Sequence, residues 1–347
     1  MKIGIWMPVY GGWLRVKGHK YRPTFKICQA IASKAEEYDY DYIYFSENYL
    51  NVVYGEECEV ADAWAYASAL ASVSKKIELV VAVKPGFHTP FSLARLAQGV
   101  NHVCEGRLSV NIVCGWMQRE FQQYGIAYLT HDKRYERACE FTECIKKLWS
   151  GLPVNFDGDY YTLDNAIVAM GDHNDGEIPV WISGQSMNAK KMVARYGDVY
   201  FIDSMSDEEL KKTIISLRDV EKKYNRKSKI AMSVFIIMRD SDEEAKARHQ
   251  AIINNRQQNL IDKFREEMDV SGADMWKGLT DEQLVDSNCG FDACLIGSKQ
   301  TILEKIHQLK NHGIDILLCQ FEDMLNDTVE FGEKILPELS IERMKVI

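Results

Sequence analysis

IELVVAVKPGFHTPFSLARLAQGVNHVCEGRLSVNIV, residues 77–113, is the stretch on which the fold turns. Ile77–Val83 and Leu108–Val113 are short, β-branched and apolar at consecutive positions, so each reads as a strand covered on both faces. Between them, Pro90–Cys104 carries apolar residues at helical spacing, with Pro90 in the first turn, where a missing N–H costs nothing. A buried strand, a helix and a second buried strand make a parallel pair with a crossover. The same unit recurs in both directions. Further strand candidates are Ile3–Met7, Tyr42–Phe45, Val180–Ser183, Val199–Ile202, Ile230–Met238 and Ile316–Gln320. Helix candidates lie between them at Thr24–Glu37, Asp62–Ser74, Arg134–Trp149, Ser186–Arg195, Asp207–Tyr224, Ser298–His312 and Leu325–Leu336.

Eight such units favour an α/β closed (β/α)8 TIM barrel over an open doubly wound sheet, and no GxGxxG follows the first strand. The expectation is one barrel domain over residues 1–347, with insertions after strands 4 and 7. In the first insertion, Val154–Leu163 alternates around Asp157-Gly158 and reads as a β-hairpin. In the second, about residues 241–290, the chain is polar and helical, and reads as a lid over the barrel mouth or as a plain surface excursion.

Forty-two basic against fifty-one acidic residues give a formal charge of −9, which leaves no general field for nucleic acid or an anionic membrane. The nine cysteines are odd in number and form no CxxC pair, so reduced thiols and a cytoplasmic location are expected, with no metal site.

Barrel enzymes carry their chemistry where the strands end. Here those ends supply Ser46-Glu47-Asn48, Lys84 to His88, Asn111 to Trp116, Gly184-Gln185-Ser186, Asp203-Ser204 and Gln320-Phe321-Glu322. The set contains neither HExxH nor a nucleophile elbow. Gly184-Gln185-Ser186 leads into a helix, whose free N–H groups suit a phosphate. Gly297-Ser298, before another helix, suits one equally. Arg134-Tyr135, at the start of a helix, could meet such a phosphate, or Arg134 could pair with Glu120. Asn111 points into the barrel mouth and needs partners for both ends of its amide. His88 lies on a Pro-bounded loop as a candidate acid or base. Trp6, Trp116 and Trp181 could form a stacking wall, or simply core.

Two longer patterns go further. Lys2-Ile3-Gly4-Ile5-Trp6-Met7-Pro8, Gly11-Gly12-Trp13 and Tyr21-Arg22-Pro23-Thr24-Phe25 resemble the start of pyrimidine monooxygenases. Gly106–Trp116, Glu120-Phe121, Tyr124-Gly125 and His131–Tyr135 resemble the dimethylsulfone and alkanesulfonate enzymes. Both groups belong to the luciferase-like flavin-dependent monooxygenase family, which the whole chain resembles. That resemblance implies an enzyme using reduced FMN (FMNH2) and O2, with a separate NAD(P)H:flavin reductase as partner. A small organic substrate would be oxidised with C–S or C–N cleavage, and the enzyme would be a homo-oligomer, dimer or tetramer.

By motif position the resemblance assigns Asn111 to the ring and the oxygen site; His88, in a loop that varies between branches of the family, is the second catalytic candidate from its own loop position alone. Ser46, Glu47 and Glu120 fall to the flavin pocket. Arg134, Tyr135 and Gly184-Gln185-Ser186 fall to the phosphate. Cys114 stands where many relatives have Thr, and Ser46-Glu47-Asn48 where some have a Glu-His pair. A deazaflavin-dependent oxidoreductase and a non-catalytic flavin-binding protein are the alternatives on the same barrel.

Overall fold

The computed structural model describes residues 1–169, 177–271 and 278–345. Eight parallel strands close on themselves: β1 (Lys2–Trp6), β2 (Tyr42–Phe45), β3 (Glu78–Val83), β4 (Leu108–Ile112), β5 (Val180–Ser183), β6 (Val199–Ile202), β7 (Lys229–Met238) and β8 (Ile316–Phe321). Each pairs with the next, and β8 returns to β1 with Lys2 beside Ile316. The chain is a (β/α)8 TIM barrel, with helices between the strands.

Alternation decides which residues fill the interior. Asn111 of β4 bonds to Tyr44 of β2 and to Ser183 of β5, a reach that inward-pointing side chains alone can make. Gly4 keeps β1 close to its neighbours, since a Cβ there would lie 2.6 Å from the Cβ of Tyr42. Outside the barrel, the helices start on side-chain caps where the sequence offers them. Thr89 with Ser92 and Ser206 with Glu209 form capping boxes, while Thr24, Asp62, Ser186 and Ser298 cap singly.

Three local expectations need correction. The helix read from Arg134 begins at His131, because Thr130 supplies the extended N-cap position and Asp132 an acidic first turn. Arg134 therefore sits one turn in. The hairpin is present as Val154–Asp157 against Thr162–Ala166, but its connection spans four residues rather than a tight Asp-Gly turn. The amides of Asp159, Tyr160 and Tyr161 all bond to the Glu140 carboxylate, which fixes that wider loop. Finally, Ile296–Gly297 adds two residues of parallel pairing to the end of β7, too short to show a period.

The segment after β7 contains the helices Asp242–Asn254 and Gln258–Ser271. It is tied to the loop that follows β1. Leu14 bridges Asp286 and Val16 bridges Arg256, while the Arg15 amide donates to the Val285 carbonyl at 2.7 Å. The buried Arg15 guanidinium donates to the carbonyls of Leu284, Asp286 and Val52, and lies 3.9 Å from the centre of the Phe264 ring. Both segments thus meet across the C-terminal mouth of the barrel.

Candidate active site

At that mouth lies a cavity of about 380 Å³. One end is built by the loop after β5. Ser186 caps the ten-residue helix Met187–Tyr196 by accepting from the Ala189 amide, and Gly184, Gln185 and Ser186 line this end of the cavity. Gly184 has φ +128°, and a Cβ there would lie 2.6 Å from the Tyr135 hydroxyl, so only glycine lets the loop pass beneath that ring. Arg134 and Tyr135 reach the same end from the helix His131–Leu148. The Arg134 guanidinium is nearly buried, donates to the Leu129 carbonyl at 2.8 Å and lies 4.5 Å from the Tyr128 ring centre. Lys190 and Lys191 are not among the residues that line the cavity.

The competing helix start is already filled. The Asp242 carboxylate accepts from the Ser298 amide at 2.7 Å and from the Thr301 hydroxyl, and these bonds hold its pKa below the ordinary Asp value. A second anion there would meet this one.

The other end is aromatic. Tyr44 meets Trp6 and Phe201 edge to face and Trp6 and Phe201 are tilted to each other, with centroids 4.8–5.4 Å apart. Trp116 lines the cavity with Phe264 from the inserted segment, their rings 5.6 Å apart. Trp6 and Trp116 are wall residues, whereas Trp181 packs below them against Tyr42 and Phe201.

Behind this wall runs a chain of charges. Glu47 faces the cavity, accepts from the Lys84 amide at 2.6 Å and pairs with His88 Nε2 at 2.7 Å. Lys84 in turn pairs with Glu120 and donates to Asn48 Oδ1 at 3.0 Å. Glu120 Oε1 also accepts from the Tyr49 amide. A buried ion pair with its remaining lone pairs hydrogen-bonded is the arrangement that offsets desolvation.

Of the residues singled out from sequence, Ser46, Glu47, Arg134, Tyr135, Gly184, Gln185 and Ser186 are together on the cavity wall. Asn111, Glu120 and His88 are one side chain behind it. Asn111 gives both amide hydrogens away, to the Tyr44 and Ser183 hydroxyls at 2.8 Å, and its oxygen accepts from Ser183. Glu120 serves Lys84, not Arg134. His88 touches Glu47 and keeps a fifth of its side chain exposed. Tyr44, Phe201, Phe264 and Asn288 were not singled out from sequence. Tyr44 and Phe201 sit in uniformly apolar strands where no pattern marks the inward face, and the other two come from an insertion whose path is set by tertiary contacts alone.

A cavity at the strand tips of a (β/α)8 barrel, with a helix start and Arg134 on its wall at one end and aromatic rings at the other, is the arrangement of a barrel enzyme with a small-molecule site. Comparison with known proteins makes this specific. Residues 1–315 match the luciferase-like monooxygenase family, to which the chain belongs. It is 30% identical over 345 residues to the FMNH2-dependent dimethylsulfone monooxygenase of Pseudomonas fluorescens (strain Pf0-1), covering 97% of this chain and 94% of that one. A protein of the same description from Pseudomonas putida is 29% identical over 358 aligned positions, covering 100% and 98%. Among solved structures, the long-chain alkane monooxygenase LadA shares the fold with a TM-score of 0.83 at 17% identity, covering 99% and 91%.

Proposed function

We propose that this chain is the oxygenating component of a two-component monooxygenase that receives reduced FMN from a separate NAD(P)H:flavin reductase and oxidises a small organic substrate with C–S or C–N cleavage. The observation that carries the reading is a single cavity joining a helix start flanked by Arg134 to the Trp6–Tyr44–Phe201 aromatic box. Its relatives are FMNH2-dependent enzymes. The cavity residues fit such a group. Gly184 brings its backbone to the cavity wall beneath the Tyr135 ring, where a Cβ would lie 2.6 Å from the hydroxyl. Gly184, Gln185 and Ser186, with Arg134 and Tyr135, hold the phosphate; Ser46, Glu47 and the aromatic box flank the ring.

Reduced FMN, when bound, supplies the two electrons that let one atom of O2 enter the substrate while the other leaves as water. The protein's own residues orient and protect. Asn111 acts as a positioning residue, fixing the Tyr44 and Ser183 hydroxyls that face the cavity. Glu47 and His88 carry a proton between the cavity and solvent, since one lies on the wall and the other reaches outward. Phe264, Ser287 and Asn288, from the described parts of the segment after β7, act as a cover on the cavity wall that keeps water out.

Oxygen uptake with chemically reduced FMN, across sulfones, sulfonates, uracil and simple amides, with products identified by mass spectrometry, tests this. Substrate-dependent uptake and an oxygenated, cleaved product are expected. Oxygen-independent reduction by a deazaflavin, or flavin binding without any product, would overturn it.

A further inference from the structure

We propose that Asp203 is a catalytic acid of this site, whose carboxyl group on the cavity wall donates a hydrogen bond to the carbonyl or sulfonyl oxygen of an uncharged substrate. The inference rests on the monooxygenase reading above and narrows its substrate class.

Asp203 is the first residue beyond β6 and lies on the cavity wall beside Phe201, Trp6 and Tyr44. Among the described residues its carboxylate receives one hydrogen bond, from the Ser233 hydroxyl of β7 at 3.3 Å. No cation faces it. The titratable groups acting around it are Asp286 and Cys289 from the inserted segment, Tyr44 from β2 and Tyr200 from its own strand. Arg15 acts on Asp286 instead. Desolvation of this half-buried carboxyl, with Asp286 nearby, pushes Asp203 up to about 7. Near neutrality, therefore, a large fraction is the neutral acid, a donor aimed into an apolar cup.

A carboxylic acid has one proton to give, and an oxo group is an acceptor alone, so the two are complementary. As the bond next to that oxygen rearranges, negative charge gathers on the oxygen and the O–H···O bond shortens and strengthens. When the charge collapses on departure of the leaving group, the proton is retained by Asp203, so none is consumed. An anionic substrate is disfavoured. It would lie near Asp203 and Asp286, while Lys84, a cation lining that part of the cavity, is held by Glu120. Arg134 belongs to the opposite end.

The test uses the full chain with FMN, and the variants Asp203→Asn and Asp203→Ala. FMN affinity of each protein is measured first by fluorescence, so that all are compared with FMN saturating; failure of the wild-type protein to bind FMN would refute the flavin reading rather than this one. With FMN bound, kcat/KM for whichever uncharged sulfone or amide is turned over should fall about tenfold per pH unit above about 7. Asp203→Asn, still a donor, should lose that basic limb and keep KM, whereas Asp203→Ala should raise KM about tenfold or more. Infrared spectra near pH 6 should show a protonated-carboxyl band that Asp203→Asn removes. A basic limb that persists in Asp203→Asn, a band unaffected by it, or methanesulfonate turned over as well as dimethyl sulfone would overturn the proposal.

Discussion

Glu120→Gln should be among the more destabilising single changes in this protein, although it is nearly isosteric. Glu120 and Lys84 are both essentially buried and form an ion pair, with Lys84 also bonded to Asn48 and Glu120 to the Tyr49 amide. The amide keeps the bond from Tyr49 but removes the charge that offsets the ammonium. Breaking one partner of a buried pair costs about 3–5 kcal/mol. At roughly 2 cal/mol/K of unfolding entropy per residue, 347 residues give about 0.7 kcal/mol/K, so Tm falls by about 4–7 °C. The decisive comparison is Lys84→Met/Glu120→Gln, which removes both charges and should recover more than half of the loss. Melting curves of wild type, both single variants and the double variant measure this. A Glu120→Gln shift of under about 1 °C, or additive losses in the double variant, would refute the reasoning.

Gly184→Ala should weaken FMN binding by about ten- to hundredfold, because a positive φ and a displaced Tyr135 together cost about 1–3 kcal/mol at the phosphate end; fluorescence titration reads it. Phe264→Ala should leave FMN affinity within about twofold but raise the oxygen consumed per product formed, since it opens the cover to water; coupled oxygen and product assays check it. Asp203→Asn should also change the pH dependence of stability. Because the folded-state pKa of Asp203 is raised to about 7 from 3.8, the native state binds the extra proton between these values, and its contribution declines as pH rises through that window. Melting temperatures of variant and wild type should therefore coincide near pH 4, diverge in the variant's favour as pH rises, and hold a constant gap above about 8.

Much of the barrel was legible because its signal is local. Tyr42–Phe45, Val180–Ser183 and Val199–Ile202 fall on their strands residue for residue, since fully apolar β-branched and aromatic runs bounded by polar residues leave little choice of boundary. Helix starts were readable where a capping side chain announced them, and misread at Thr130, whose side chain makes no capping bond. That Gly184, Gln185 and Ser186 share the cavity wall was readable for the same reason, since they are contiguous between a strand and a helix. Their rivalry with Gly297-Ser298 was not, because Asp242, 56 residues away from Ser298, decides it. Residues that act through others were harder still. Nothing local says that Asn111 spends its whole amide on Tyr44 and Ser183, or that Lys84 intercepts Glu120 before Arg134 can; both depend on strands and loops brought together by closure of the barrel.

A crystal structure of the protein soaked with FMN tests the central claim most directly. The phosphate should lie against the first turn of Met187–Tyr196, within hydrogen-bond reach of Ser186 and Arg134, with the ring among Trp6, Tyr44 and Phe201. Phosphate density at the start of Lys299–His312, or a ring bound outside the barrel mouth, would contradict the account.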